Sequence, residues 1–155
     1  MLSIIVMPVI ALDLGGTKLA GGIMSDKGEL VYSTSSLLEN RKGHEVGQLI
    51  NQTVSDLLYK AGNMGKTPAS LGICVPGIVH VKTGRIWAPN IPGWDDYPLL
   101  EELQKGLDNK IKISVDSDRA CYILGEAWKG NARGCLDAIY LSVGTGIGAG
   151  IMVNG

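Results

Sequence analysis

The chain has 155 residues, 45% hydrophobic and 19% charged, and its 14 basic and 15 acidic side chains give a formal net charge of −1. That is enough apolar material for a globular domain and excludes a disordered chain, while charges spread without long runs of one sign argue against a nucleic-acid or membrane-surface partner. The 22 glycines follow no period, which excludes a fibrous or repeat architecture, and the three cysteines, Cys74, Cys121 and Cys135, are too scattered and odd in number for a disulfide framework.

Residues 1–12 are apolar but lack a basic leader and a small-residue cleavage site, and Pro8 interrupts them; they read as a strand rather than a signal peptide or membrane span. The runs 9–13, 18–24 and 30–36 are strand-like, separated by turns at Gly15-Gly16 and Asp26-Lys27-Gly28, which makes an opening meander. Val46, Leu49, Ile50, Val54, Leu57, Leu58 and Ala61 recur at helical spacing, with Gly62 as the stop. The run 70–75 reads as a buried strand closed by Pro76-Gly77, and 79–98 as a loop stiffened by proline. A short helix over 99–107, a strand over 111–115 and a helix over 118–129 follow, the last capped by Asp116, Ser117 or Asp118. Strands over 138–143 and 148–153 form a closing hairpin. The order βββ-α-β-α-β-α-ββ predicts an α/β fold with a mixed sheet covered by helices.

Four places could carry chemistry. In Asp13-Leu14-Gly15-Gly16-Thr17-Lys18 a strand ends in a carboxylate, and a glycine turn then turns backbone N–H groups, a hydroxyl and an ammonium towards an anion. Asp13 could hold Mg²⁺ through water; the same residues would equally serve an ordinary Gly-Gly hairpin. Gly144-Thr145-Gly146-Ile147-Gly148-Ala149-Gly150 follows a strand, but alanine at 149 breaks the dinucleotide spacing and a strand rather than a helix comes next. That leaves a strand-turn-strand phosphate loop or a tightly packed hairpin. Asp116-Ser117-Asp118 sits at a strand-to-helix junction, where a carboxylate can take a proton from a substrate hydroxyl or simply cap the helix. The segments 76–80 and 88–94 are stiff loops, in which Asn90 offers a donor and an acceptor suited to sugar hydroxyls, Trp87 or Trp94 could pack on a ring but is more readily explained by core or surface packing, and His80 is a plain loop residue.

Taken in order, DLGGTK, CVPGIVH, APNIPGW, the acidic junction before LGE, and LSVGTGIGAGIMVNG resemble the ROK (repressor, open reading frame, kinase) family from about residue 9 onwards. The resemblance implies an actin-like, ribonuclease H-like ATPase domain and ATP-dependent phosphorylation of a hexose or related sugar in the cytoplasm. It assigns Asp13, Gly15, Gly16, Thr17 and Lys18 to the first phosphate motif, Gly144, Thr145 and Gly146 to the second, and Gly77, Asn90 and Ser117 to the sugar. Asp118 becomes the catalytic base, also touching the sugar, and Mg-ATP the cosubstrate. Two departures stand out. Ser117 occupies the place of the family's usual asparagine, with Arg119 where a small residue is common. The family's C-terminal domain is missing, so residues 1–155 are expected to be an N-terminal domain, without that domain's zinc cluster and with a strand edge open to a second copy. The rival readings are a non-catalytic sugar- or nucleotide-binding remnant and a ROK transcriptional regulator lacking its DNA-binding segment.

Overall fold

The computed structural model describes residues 7–108, 111–144 and 146–155. β1 (Val9–Leu14), β2 (Lys18–Met24) and β3 (Leu30–Leu37) form the expected meander, followed by α1 (His44–Asn63) and β4 (Ser70–Val75). After a small hairpin of β5 (Ile78–His80) and β6 (Arg85–Trp87) come α2 (Leu99–Gly106), β7 (Lys112–Ser117), α3 (Asp118–Lys129), β8 (Ala138–Val143) and β9 (Ile147–Met152).

The main sheet has the order β3-β2-β1-β4-β7. β1 pairs antiparallel with β2, but parallel with β4, which is in turn parallel to β7. It is the mixed sheet that the element order predicts. Strand alternation separates the two faces. Ile10, Leu12 and Leu14 of β1, with Leu71, Ile73 and Val75 of β4, are buried beneath Val46, Ile50, Val54 and Leu57 of α1 in one apolar core. Each such side chain contributes roughly 1.5–3 kcal/mol by leaving water. α3 takes the opposite face. It starts at the end of β7 and reaches the β2–β3 turn, where Lys129 Nζ donates to the carbonyls of Lys27 and Gly28.

Several boundaries differ from expectation. Gly62 does not stop α1, which runs on to Asn63. The stop is Gly65, at φ 67°, whose N–H donates to Gly62 O at 2.9 Å while Lys66 N–H donates to Ala61 O at 2.9 Å, closing the last turn as a Schellman motif. The proline-rich stretch is more ordered than a loop. Ile78 pairs with Trp87 and His80 with Arg85, so His80 belongs to a strand, and Trp94 is fully buried, stacked on Tyr97 with centroids 4.4 Å apart. Of the candidate caps for α3, Ser117 does the work, its Oγ accepting from Ala120 N at 3.2 Å. The strand expected in the opening residues is seen only from Val9, because 1–6 lie outside the described residues. Among the described residues, no helix is long and apolar enough to cross a membrane.

Candidate active site

Parallel pairing of β1, β4 and β7 brings their carboxyl ends to one edge. The register sets Asp13 beside Cys74, and Cys74 beside Asp116. Alternation places all three on the face away from α1. With strands about 4.8 Å apart, two carboxylates stand about 10 Å from each other with a thiol between them. Cys74 Sγ donates to Asp13 Oδ1 at 3.2 Å. Tyr122 of α3 lies over this edge, and its hydroxyl pKa is pushed up by burial first and then by the charge of Asp13. The edge is therefore a negative field that favours a cation.

The β1–β2 turn leaves this edge at Asp13. Gly15 N–H donates to Lys18 O at 2.8 Å, closing the turn, and Thr17 O accepts from Leu38 N at 2.8 Å, which ties the turn to the end of β3. Gly16, Thr17 and Lys18 are exposed, so the turn's hydroxyl and ammonium are open to a ligand.

The loop carrying Asn90 is braced against this turn. Ile91 N–H donates to Ala88 O at 2.9 Å and Ala88 N–H to Trp94 O at 2.7 Å, which folds 88–94 into a tight bend. Two bonds anchor the bend to the start of α1: Gly43 N–H to Pro92 O at 2.8 Å and Trp94 Nε1 to Gly43 O at 3.0 Å. Asn90 thereby stands at the turn, with its Cβ 3.5 Å from the point where a Cβ on Gly16 would lie. Gly77 connects the same loop to the end of β4. Its φ is 101°, and a Cβ there would lie 2.1 Å from Trp87 O, so any other residue would push β4 and β6 apart.

Asp118 opens α3, partly buried, with Oδ1 accepting from Arg119 N at 2.8 Å. Gly77, Asp116, Ser117 and Arg119 line a cleft of about 580 Å³, closed on its far side by 149–152 of β9 and by Val153 after it. The glycines of β9 have a physical role here. A Cβ on Gly150 would lie 2.1 Å from Arg119 O, and one on Gly148 would lie 2.6 Å from Arg119 Nε. At Gly150 the obstacle is backbone, so glycine there lets the hairpin sit directly on the first turn of α3; at Gly148 it is the Arg119 side chain, whose Nε lies 4.0 Å from Asp118 Oδ1.

The structure thus brings together Asp13, Gly15, Gly16, Thr17, Lys18 and Asn90 on one side of the edge, and Gly77 and Ser117 on the other; Asp118 follows Ser117 in the chain but is not among the residues that line the cleft. Gly144 and Gly146 form the exposed β8–β9 turn on a separate hairpin, with open space above both and Gly144 N–H donating to Gly146 O at 2.9 Å. Thr145, expected in the same phosphate loop, lies outside the described residues. Cys74 and Cys121 escaped the sequence reading as site residues, and Asp116 was read only as part of the junction with Ser117 and Asp118. The signal for Cys74 and Asp116 was the equal distance of Asp13, Cys74 and Asp116 from the ends of their strands.

Among the described residues, no group of three or more His, Cys, Asp or Glu side chains could hold a metal. Mg²⁺ commonly takes one or two carboxylates and fills its remaining positions with phosphate oxygens and water. A single exposed Asp13 beside a glycine turn fits a magnesium ion that arrives with a nucleotide.

The chain resembles known proteins over nearly its whole length. The chain is 32% identical over 152 residues to a glucokinase from Thermotoga maritima, covering 96% of this chain and 45% of that protein. It superposes on the crystal structure of a ROK hexokinase from Thermus thermophilus with a TM-score of 0.82 at 29% identity, covering 96% of this chain and 47% of that one. A ROK family glucokinase from Streptomyces griseus, solved in complex with glucose and AMPPNP, gives 0.76 at 26% identity, over 95% of this chain and 45% of that one. The chain spans about half the length of the curated relatives it matches. The ROK family model matches residues 9–155, so the chain belongs to the ROK family.

Proposed function

We propose that this chain is the N-terminal domain of an ATP-dependent sugar kinase of the cytoplasm, with Asp118 as the general base. The observation that carries the reading is the bracing of the Asn90 loop against the Gly16 turn, while Gly77 joins that loop to the cleft lined by Asp116, Ser117 and Arg119. Groups suited to sugar hydroxyls and groups suited to phosphate oxygens then share one strand edge, as transfer between the two ligands requires.

Phosphoryl transfer asks the protein chiefly for positioning and charge stabilisation. In this reading Asn90 and the backbone at Gly77 orient the sugar. The Ser117 hydroxyl, whose oxygen already accepts from Ala120 N, retains its hydrogen for a sugar oxygen. Asp118 accepts the proton of the attacking hydroxyl as its oxygen bonds to the γ-phosphorus and the bond to the ADP oxygen breaks. The N–H groups of Gly16 and Thr17, with the side chains of Thr17, Thr145 and Lys18 and the glycine turns at 15–16 and 144–146, hold the phosphate chain. Mg²⁺ beside Asp13 would neutralise charge on the β- and γ-phosphates. The outward apolar side of β8 and β9 is the surface on which the remaining length of such a kinase packs.

The test is ADP release from Mg-ATP across a panel of hexoses and N-acetylated amino sugars, on the full-length gene product and the 155-residue chain side by side. Stimulation by one sugar is expected from the full-length protein. ADP release that no sugar stimulates would contradict the reading.

A further inference from the structure

α1 begins after Gly43, which has no side chain to cap it. Glu102 of α2 reaches over that end instead. Its Oε1 stands 3.2 Å from Nδ1 of His44, the first residue of α1, and its Oε2 accepts from the Tyr97 hydroxyl at 2.5 Å. A carboxylate suits the positive end of a helix. Gly47, one turn along, leaves the notch in which this pair sits: a Cβ there would lie 2.1 Å from the Tyr97 hydroxyl oxygen and 2.7 Å from Glu102 Oε2. Tyr97 is buried and the Glu102 side chain is only 22% exposed, so the bond is made largely out of water, where a charged acceptor binds its donor strongly. Burial first, and then Glu102, push the Tyr97 hydroxyl pKa up, so the hydroxyl stays a donor.

This bond is one end of a chain of contacts that leads to Asn90. The Tyr97 backbone is held to β6 by two bonds, Ile86 N–H to Tyr97 O at 2.9 Å and Tyr97 N–H to Ile86 O at 2.8 Å, which leaves the side chain as the movable part. Its ring stacks on Trp94 with the planes 4° apart. Trp94 N–H donates to Ile91 O at 3.1 Å, so the indole and the bend that carries Asn90 move together. Neither Tyr97 nor Glu102 lines the cleft or the pocket shared by Gly16 and Asn90. Any effect they have on a ligand therefore passes through the loop. We propose that Glu102 is a positioning residue for the Asn90 loop: through Tyr97 and Trp94 it fixes the distance between Asn90 and the Gly16 turn, and with it the seat of the sugar. This role rests on the kinase reading of the preceding section.

The experiment uses the full-length protein and reads amide exchange without ligand, then kcat and KM with whichever sugar of the panel above most stimulates ADP release. Tyr97→Phe keeps the ring and loses the donor, Glu102→Ala loses the acceptor, and Glu102→Gln keeps an acceptor oxygen. In the first two, exchange at Ile91 and Trp94 should quicken about tenfold, while Val46 to Leu57 of α1 keep their protection. The sugar KM should rise about tenfold, with kcat and the KM for ATP within about twofold. Glu102→Gln should return the sugar KM to within about threefold of the unaltered protein. Gly47→Ala raises helix propensity but drives a methyl at the Tyr97 hydroxyl, so it should also raise the sugar KM, which a firmer α1 alone would not do. An unchanged sugar KM in folded Tyr97→Phe would overturn the proposal, as would equal rises in the KM for sugar and ATP, or a loss of protection in α1 as large as in the bend. If no sugar stimulates the unaltered protein, the kinase reading and this role fall together. An active kinase whose sugar KM ignores these variants sinks this role alone.

Discussion

The two faces of the main sheet are treated differently. On one, α1 buries Val46, Ile50, Val54 and Leu57 against β1 and β4, and its side chains there have almost no contact with water. On the other, α3 buries only Ile123 fully, leaving Leu124 and Trp128 exposed. The β8–β9 hairpin resting on α3 goes further. It turns Gly150 and Met152 inward but presents Ile139, Leu141, Val143, Ile147 and Ile151 outward, Ile139 at 68% and Ile147 at 78% exposure. A solvated strand face is normally polar, and an apolar patch of this kind marks a surface to be covered. The first face completes itself within these residues. The second leaves its apolar patch uncovered among the described residues.

Substitutions can break this contrast. The largest effect on stability is expected in the α1 layer. Ile50→Ala, at a position with no exposure, should cost about 2–5 kcal/mol in urea unfolding. A smaller but more local effect is expected at the seam between α3 and the hairpin. Gly150→Ala forces a methyl into the Arg119 carbonyl and should cost about 1–3 kcal/mol, with faster amide exchange in β8 and β9 while α1 keeps its protection. The smallest effect belongs to the outward face. Leu141→Ser should change the stability of the 155-residue chain by less than about 0.5 kcal/mol, because the side chain is already in water. It should instead weaken self-association of the isolated chain, read by sedimentation velocity across a concentration series. Equal losses for Ile50→Ala and Leu141→Ser would erase the distinction between the two faces.

The same contrast explains what the sequence made legible. In β1 and β4 the alternation of large apolar with small or polar residues is read directly from VIALDL and SLGICV, and α1 from its helical spacing, because each buries one clean face. The end of α1 was misread because two glycines compete, and only the backbone shows that Gly65 takes the left-handed position. The β5–β6 hairpin stayed hidden because its strands are three residues long, too short for a period. At the candidate site, Asp13, Gly77, Asn90 and Asp118 were singled out from motif order. Cys74 and Cys121 were not, because their lining one cavity with Asp13 depends on the β1–β4–β7 register and on where α3 crosses the sheet, neither of which is written locally. Arg119 was visible as a departure, but its seat beneath Gly148 was not.

The central claim is that Asp118 takes the proton of the accepting hydroxyl. It is tested most directly by comparing Asp118→Asn with the unaltered full-length protein, measuring sugar-dependent turnover alongside sugar binding by calorimetry. The side chain keeps its size and a hydrogen-bonding oxygen but loses the capacity to accept a proton. Turnover should fall by about 10²–10⁴-fold, with sugar affinity changed by less than about tenfold, or 1.4 kcal/mol. Retained turnover in a variant that still binds the sugar would contradict the assignment.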